Sequence, residues 1–120
     1  MNKTTLITLL FALLTSCKDE TYNYYSDGEK MYEEGKFLKA IDLFTKEIEN
    51  DRKTDLAYEY RAKAKQEIGQ LEDAIFDFNK AIELNEELAS AYVSRTKAQV
   101  MLKDYETAIN DLNHMINHFK

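Results

Sequence analysis

Ala40-Ile41-Asp42-Leu43-Phe44, Ala74-Ile75-Phe76-Asp77-Phe78 and Ala108-Ile109-Asn110-Asp111-Leu112 are three versions of one frame, set 34 residues apart. The period extends outward on both sides. Ile48, Ile82 and Ile116 keep it, and so do Tyr24, Tyr58 and Tyr92. Phe37 continues as Leu71 and Tyr105, and Gly35 as Gly69 and then Lys103. Self-similarity at a fixed period of this size marks a repeat architecture. Within the middle unit, Leu71, Ala74, Ile75, Phe78 and Ile82 follow the spacing of an amphipathic helix. Upstream, Ala57, Tyr58, Ala62 and Ala64 predict a first helix. Gly69 falls between the two, where a helix C-terminus favours a residue tolerant of left-handed backbone. Alanine at 40, 74 and 108 lets paired helices approach closely, since a larger side chain there would overpack the crossing.

These features resemble the tetratricopeptide repeat, whose second helix carries an Ala-x3-Phe pattern. Ala40-x3-Phe44 and Ala74-x3-Phe78 match it, and Ala108-x3-Leu112 comes close. The resemblance implies an all-α, right-handed solenoid of three helix-turn-helix repeats, placed at 21–54, 55–88 and 89–120. One departure stands out. The closing proline of the family pattern is Arg52 and Glu86 here, so the turns between repeats are expected to rest on Asn50-Asp51 and Asn85.

Composition narrows the function. The chain has 120 residues, no Pro, no Trp, 3 Gly and one Cys. One domain fits that length, and a multidomain enzyme does not. A formal charge of −6 argues against nucleic acid, which is bound by displacing counterions with Lys and Arg. A single Cys excludes an internal disulfide framework. No Gly-rich phosphate loop is present, because Gly28, Gly35 and Gly69 are isolated. The chain is therefore read as a non-enzyme without cofactor.

The first residues read as an address. Lys3 gives a positive start, and Leu6 to Leu14 form a short apolar run, too short to span a bilayer. With Thr15 and Ser16 ahead of Cys17, this is the plan of a signal peptide. Leu14-Thr15-Ser16-Cys17 resembles the lipobox of bacterial lipoproteins. That likeness implies a signal peptide over 1–16, removed by cleavage, and a lipidated Cys17 with a tether over 17–20. Stable anchoring then needs two or more acyl chains, because one chain binds marginally. Loss of Lys3 leaves 15 basic against 22 acidic side chains, or −7. The absence of Asp directly after Cys17 points to the outer membrane. Lys18-Asp19-Glu20 reads either as a surface-export signal or as a solvated tether.

Two charged pairs recur at a separation of 16: Arg61 with Asp77, and Arg95 with Asp111. They are expected to join first and second helices. Repeat 1 has Asp27 and Leu43 instead. His114 and His118 share one side of the last helix. They could hold a metal only with further ligands, and two helix-end histidines near the favourable dipole end is the preferred reading.

Binding is the better prospect. The family resemblance implies a concave groove lined by first helices, holding an extended peptide or a partner helix. Carried over by position, the groove residues are Tyr22, Tyr25, Tyr32, Tyr60, Lys63, Val93, Lys97 and Met101. Glu29, Glu59, Gln66, Ser90 and Ser94 lie beside them. Tyr offers a large, rigid contact with a polar tip. Lys63 and Lys97 stand one period apart and suit an acidic partner segment. Family members that bind cytosolic chaperones clamp a C-terminal carboxylate with Lys, Asn and Arg. The corresponding residues here are Tyr25, Glu29, Tyr60, Ser90 and Ser94, so that ligand is not expected. Alternatively, Tyr22, Tyr24 and Tyr25 sit at the headgroup level beside a short tether.

The expected role is a membrane-anchored interaction module, resembling envelope-assembly lipoproteins of this repeat class. The partner is an unknown peptide or envelope protein. The alternative is a structural lipoprotein forming a homodimer through an uncapped last helix, with Leu112, Met115, Ile116 and Phe119 at the contact.

Overall fold

The computed structural model describes residues 2–15, 22–52 and 54–119, and all its regular structure is α-helical. Helix α1 spans Lys3–Thr15. Three helix pairs follow: α2 (Tyr24–Glu33) with α3 (Phe37–Glu49), α4 (Asp55–Glu67) with α5 (Leu71–Leu84), and α6 (Ala89–Met101) with α7 (Tyr105–His118). Each pair packs on the next through α3 against α4 and α5 against α6. The first helices α2, α4 and α6 also touch in order and share one face of the stack. This is the solenoid of tetratricopeptide-like repeats that the 34-residue period predicts. Helix α1 packs on none of the six, and its Leu6, Ile7, Leu9 and Leu10 are exposed. Among the described residues, no helix is long and apolar enough to cross a membrane. Cys17 and Lys18-Asp19-Glu20 lie outside the described residues.

Local chemistry explains where the helices start and stop. Asn23, Thr54 and Asp104 cap α2, α4 and α7 by accepting the backbone N–H of Ser26, Ala57 and Thr107. The turn inside each pair is closed by one left-handed residue: Gly35 at φ 74°, Gly69 at φ 82° and Lys103 at φ 62°. The following N–H in each case reaches back to a last-turn carbonyl: Lys36 to Met31, Gln70 to Lys65 and Asp104 to Gln99, at 2.8–2.9 Å. Between repeats 1 and 2, Asp51 adopts φ 61° after Asn50 caps α3. Between repeats 2 and 3, the Asn85 side chain accepts the Glu87 N–H and donates to Asp55. The two asparagine turns thus take the place of the missing prolines.

The repeating alanines 40, 74 and 108 are all buried at the helix crossings. Phe44 and Phe78 are fully buried beside them. Burying such a side chain stabilises by about 1.5–3 kcal/mol. Gly28 makes a further close approach, because a Cβ there would stand 2.7 Å from the Phe44 ring.

Both expected ion pairs form. Arg61 donates two bonds of 2.8 Å to Asp77, and Arg95 donates bonds of 2.7 and 2.5 Å to Asp111. Lys65 adds a third contact to the fully buried Asp77 at 2.8 Å. Each Arg also reaches back one repeat, Arg61 to Thr45 at 3.2 Å and Arg95 to Asn79 at 2.8 Å. The pairs therefore tie neighbouring repeats as well as the helices within one.

Candidate peptide-binding face

The shared face of α2 and α4 carries a chain of aromatic rings. Tyr25 meets Phe44 at 5.8 Å and Tyr60 at 5.9 Å between ring centres. Tyr60 meets Tyr32 at 5.7 Å, and Tyr32 meets Phe37 at 5.6 Å. All four contacts are edge-to-face, an arrangement aromatic quadrupoles favour. Phe44 is sealed inside, while Tyr25, Tyr32 and Tyr60 are half-buried and keep an outer edge in solvent. The three tyrosines thus pack the core and line the surface at once.

The polar groups around them are pinned. Tyr25 donates to Glu29 at 3.0 Å. Lys63 lies 2.7 Å from the buried Glu59 carboxylate and 4.9 Å from the centre of the Tyr60 ring. Burial, then the bond to Glu29, pushes the Tyr25 phenol well above its ordinary range. Burial, then the Glu67 charge, raises Tyr32. Both phenols stay neutral at physiological pH and keep their O–H donors.

Beside Tyr32 the face opens into a small polar pocket of about 130 Å³. Lys63, Gln66, Glu67, Ser94 and Lys97 complete it, joining repeats 2 and 3. Beyond it Val93 and Met101 are exposed, with the Gln66 amide 3.9 Å from the Met101 sulfur. The structure therefore brings Tyr25, Tyr32, Tyr60 and Lys63 together and places Lys97, Val93 and Met101 along the same face.

Tyr22 is placed apart. Its ring packs on Tyr24 at 4.6 Å, its hydroxyl donates to Asp27, and its carbonyl accepts from Arg52. Asp27 occupies the position where Arg61 and Arg95 stand in the later repeats, and it accepts the Tyr22 hydroxyl outside the ring cluster. Sequence reasoning missed this, as it missed the roles of Glu59 and Gly28. One signal was available: a charged residue at 27 without an Asp sixteen positions later.

At the other end, His114 stacks on Tyr92 at 4.8 Å and on His118 at 5.1 Å. His118 reaches Glu87 at 2.9 Å. Among the described residues no group of three His, Cys, Asp or Glu is placed to hold a metal. Phe119 closes the stack edge-on against Tyr92 and His118, and Met115 is half-buried. Leu112 and Ile116 are exposed, and two residues not anticipated, Tyr105 and Ile109, are exposed with them.

No family model and no curated protein matches the chain. Solved structures do. The TPR2B domain of yeast Sti1 in its pHsp70 complex is 27% identical at a TM-score of 0.72, over 75% of this chain and 72% of that one. The second TPR domain of human RPAP3, in complex with the HSP70 peptide SGPTIEEVD, is 28% identical at 0.73, over 78% of each chain. MamA is similar in fold alone, at 22% identity and a TM-score of 0.78, over 88% of this chain and 61% of that one. The chain is a helical solenoid of the tetratricopeptide type. The non-enzymatic reading agrees with these matches.

Proposed function

We propose that the chain is a protein-interaction module tethered to the bacterial envelope through a lipid on Cys17. It holds a partner segment across Tyr25, Tyr32, Tyr60, Lys63, Val93, Lys97 and Met101. The observation that carries the binding reading is the half-buried tyrosine cluster beside the Lys63–Lys97 pocket. Rigid aromatic edges next to a pinned polar pocket are the make-up of an interaction hot spot. The similar domains of Sti1 and RPAP3 hold chaperone peptides on this fold. The expected clamp positions here are Tyr25, Glu29, Tyr60, Ser90 and Ser94, which offer no cation for a terminal carboxylate. The partner segment is instead aromatic or aliphatic along the tyrosines, with an acidic side chain at Lys97. Among the described residues Lys97 has no ion-pair partner of its own.

The anchoring reading is supported by the order Lys3, apolar run, Leu14-Thr15-Ser16-Cys17, and by a leader helix that packs on nothing else described. An outer-membrane address and a part in envelope assembly belong to the same proposal.

The test is affinity capture from gently solubilised envelopes. Tyr25 and Tyr60 also support Phe44, so exposed Val93→Asp and Lys97→Glu are the cleaner probes. Loss of one partner in both variants, with unchanged circular dichroism, supports the face as the binding site. An identical partner set in wild type and variants refutes it. Failure of Cys17→Ala to release the chain from the membrane fraction, or to abolish fatty-acid labelling, refutes the anchor.

A further inference from the structure

We infer that the pocket between α5 and α7, floored by α6, binds the ammonium group of a lysine side chain presented by a partner protein. The pocket has a volume of about 360 Å³ and holds Asp104, Asp111, Arg95 and Gln99, with Ile75 and Asn79 on its α5 wall.

The template for its ligand lies one repeat earlier. In repeat 2, Asp77 takes both Arg61 bonds and still accepts the Lys65 ammonium at 2.8 Å. In repeat 3, Asp111 takes the same two bonds from Arg95. Gln99 stands where Lys65 would, so among the described residues no second cation reaches Asp111. Gln99 is only 6% exposed, and its Oε1 is buried without a hydrogen-bond partner. Repeat 1 carries Met31 and Leu43 at the two positions, an apolar pair. The pair is thus matched in repeats 1 and 2 and unmatched in repeat 3. A buried acceptor left unpaired needs a reason. An ammonium beside Asp111 supplies one, donating to the carboxylate as Lys65 does and to the Gln99 amide oxygen. With no bond on that oxygen, the amide can turn it toward the cation.

The lining selects lysine. Two carboxylates, Asp104 and Asp111, outweigh the single Arg95 cation, which is itself spent on Asp111 and Asn79. A guanidinium would want the bidentate edge of Asp111 that Arg95 already takes, whereas an ammonium is a point donor. Ile75 is half-buried and offers an apolar bed for a methylene stem, which a free cation would not use. The opening is a property of the repeat and not of its place in the stack. Asp73 and Phe76, the α5 residues matching Thr107 and Asn110, are exposed although repeat 3 packs on α5. None of the pocket's residues belongs to the tyrosine face, so either site can fail alone.

The experiment is a nuclear magnetic resonance titration of the isotope-labelled full chain in detergent. The probes are Nα-acetyl-lysine methylamide, its Nε-acetylated form and methylammonium. The lysine probe is expected to give saturable shifts at the Gln99 side-chain amide and at the Asp104 and Asp111 backbone, with a dissociation constant on the order of 1 mM for so small a ligand. The acetylated form should give none, and methylammonium, lacking the stem, should bind about tenfold more weakly or worse. Gln99→Lys should supply the ammonium internally, as Lys65 does, and abolish the shifts. Val93→Lys adds the same charge at an exposed position of the other face and should change the affinity by about twofold at most. Asp104→Asn keeps the α7 cap and should weaken binding roughly two- to fivefold. Urea melting checks that each variant folds. No saturable shift with the lysine probe overturns the proposal. So does binding that survives Gln99→Lys, or that falls as far in Val93→Lys. Methylammonium binding as tight as that of the lysine probe makes the pocket a site for a free cation and overturns the lysine assignment.

Discussion

Repeats 1 and 2 place the same phenylalanine at the same crossing and hold it by different means. In repeat 1, Phe44 lies over Gly28 and under the rings of Tyr25 and Tyr60. In repeat 2, Phe78 sits among Ala62, Ala74, Ala81 and Ala91, alongside the buried Arg61–Asp77–Lys65 cluster. Aromatic packing leaves ring edges free to meet a partner. A buried ion cluster leaves nothing free, because its groups are consumed by one another. The difference leaves tyrosine edges at the surface where repeats 1 and 2 meet, and an internal brace within repeat 2.

Removing the brace should have the largest effect. Asp77→Ala leaves Arg61 and Lys65 facing a buried space without their carboxylate. Truncating one partner of a buried pair costs about 3–5 kcal/mol. Asp27→Ala, at the Arg position of repeat 1, removes only the bond from Tyr22, at an exposed site, and should cost under about 1 kcal/mol. Urea midpoints of the two variants measure the contrast. Equal effects would mean that Asp77 is no brace.

The aromatic repeat breaks next. Gly28→Ala drives a methyl into the Phe44 ring, with 2.7 Å to the nearest atom, and overpacking of that kind costs about 1–3 kcal/mol. Repeat 3 shows a tolerated alternative, with Thr96 and Leu112 at the matching positions. Phe44→Leu should therefore recover part of the loss in the double variant. A double-mutant cycle with no coupling between the two sites would contradict the contact.

Much of this was legible beforehand, and the failures have physical causes. The alanine and phenylalanine columns predict the helix pairs because close crossings admit few side chains. The separation of 16 predicts the Arg–Asp pairs because both members lie within one repeat. Thr45 and Asn79 escaped notice because their bonds run between repeats and involve residues that solvate equally well. Tyr22 was expected with the other tyrosines and lies with Asp27, a preference that position along a helix does not encode. Phe119 was expected on the outer face of α7 beside Leu112. It caps the helix at φ −98° and ψ 37°, out of helical phase, and folds back onto Tyr92.

Alkaline pH separates the two repeats in another way. Tyr25 and Tyr32 are held above their ordinary pKa, chiefly by burial. An unfolded chain releases phenolic protons near pH 10, while these two sites retain theirs. The folded state therefore binds more protons above that pH, and stability falls as pH rises. Below about pH 10 the contribution is present in full. Glu59 and Gln66 stand at the matching positions of repeat 2, so these two contributions belong to repeat 1, while burial of Tyr92 adds one in repeat 3. Tyr25→Phe and Tyr32→Phe should partly flatten the alkaline limb of the urea midpoint against pH, and each should remove one late-titrating phenol from the tyrosinate absorbance, leaving those of Tyr22 and Tyr92. An unchanged limb would place the alkaline sensitivity elsewhere.

The smallest effect concerns repeat 3, where Lys103 does the work of Gly35 and Gly69. Its φ of 62° lies in the left-handed region, which costs a residue with a Cβ roughly 1–2 kcal/mol. Glycine removes that strain but adds freedom to the unfolded chain, an opposing entropy of about 0.4–1 kcal/mol. Lys103→Gly should therefore stabilise by roughly 1 kcal/mol or less. Gly35→Ala and Gly69→Ala should destabilise by a similar amount, although nothing stands within 4 Å of a Cβ at either site. Backbone conformation alone separates the three positions, so the opposite signs test the turn and not the packing.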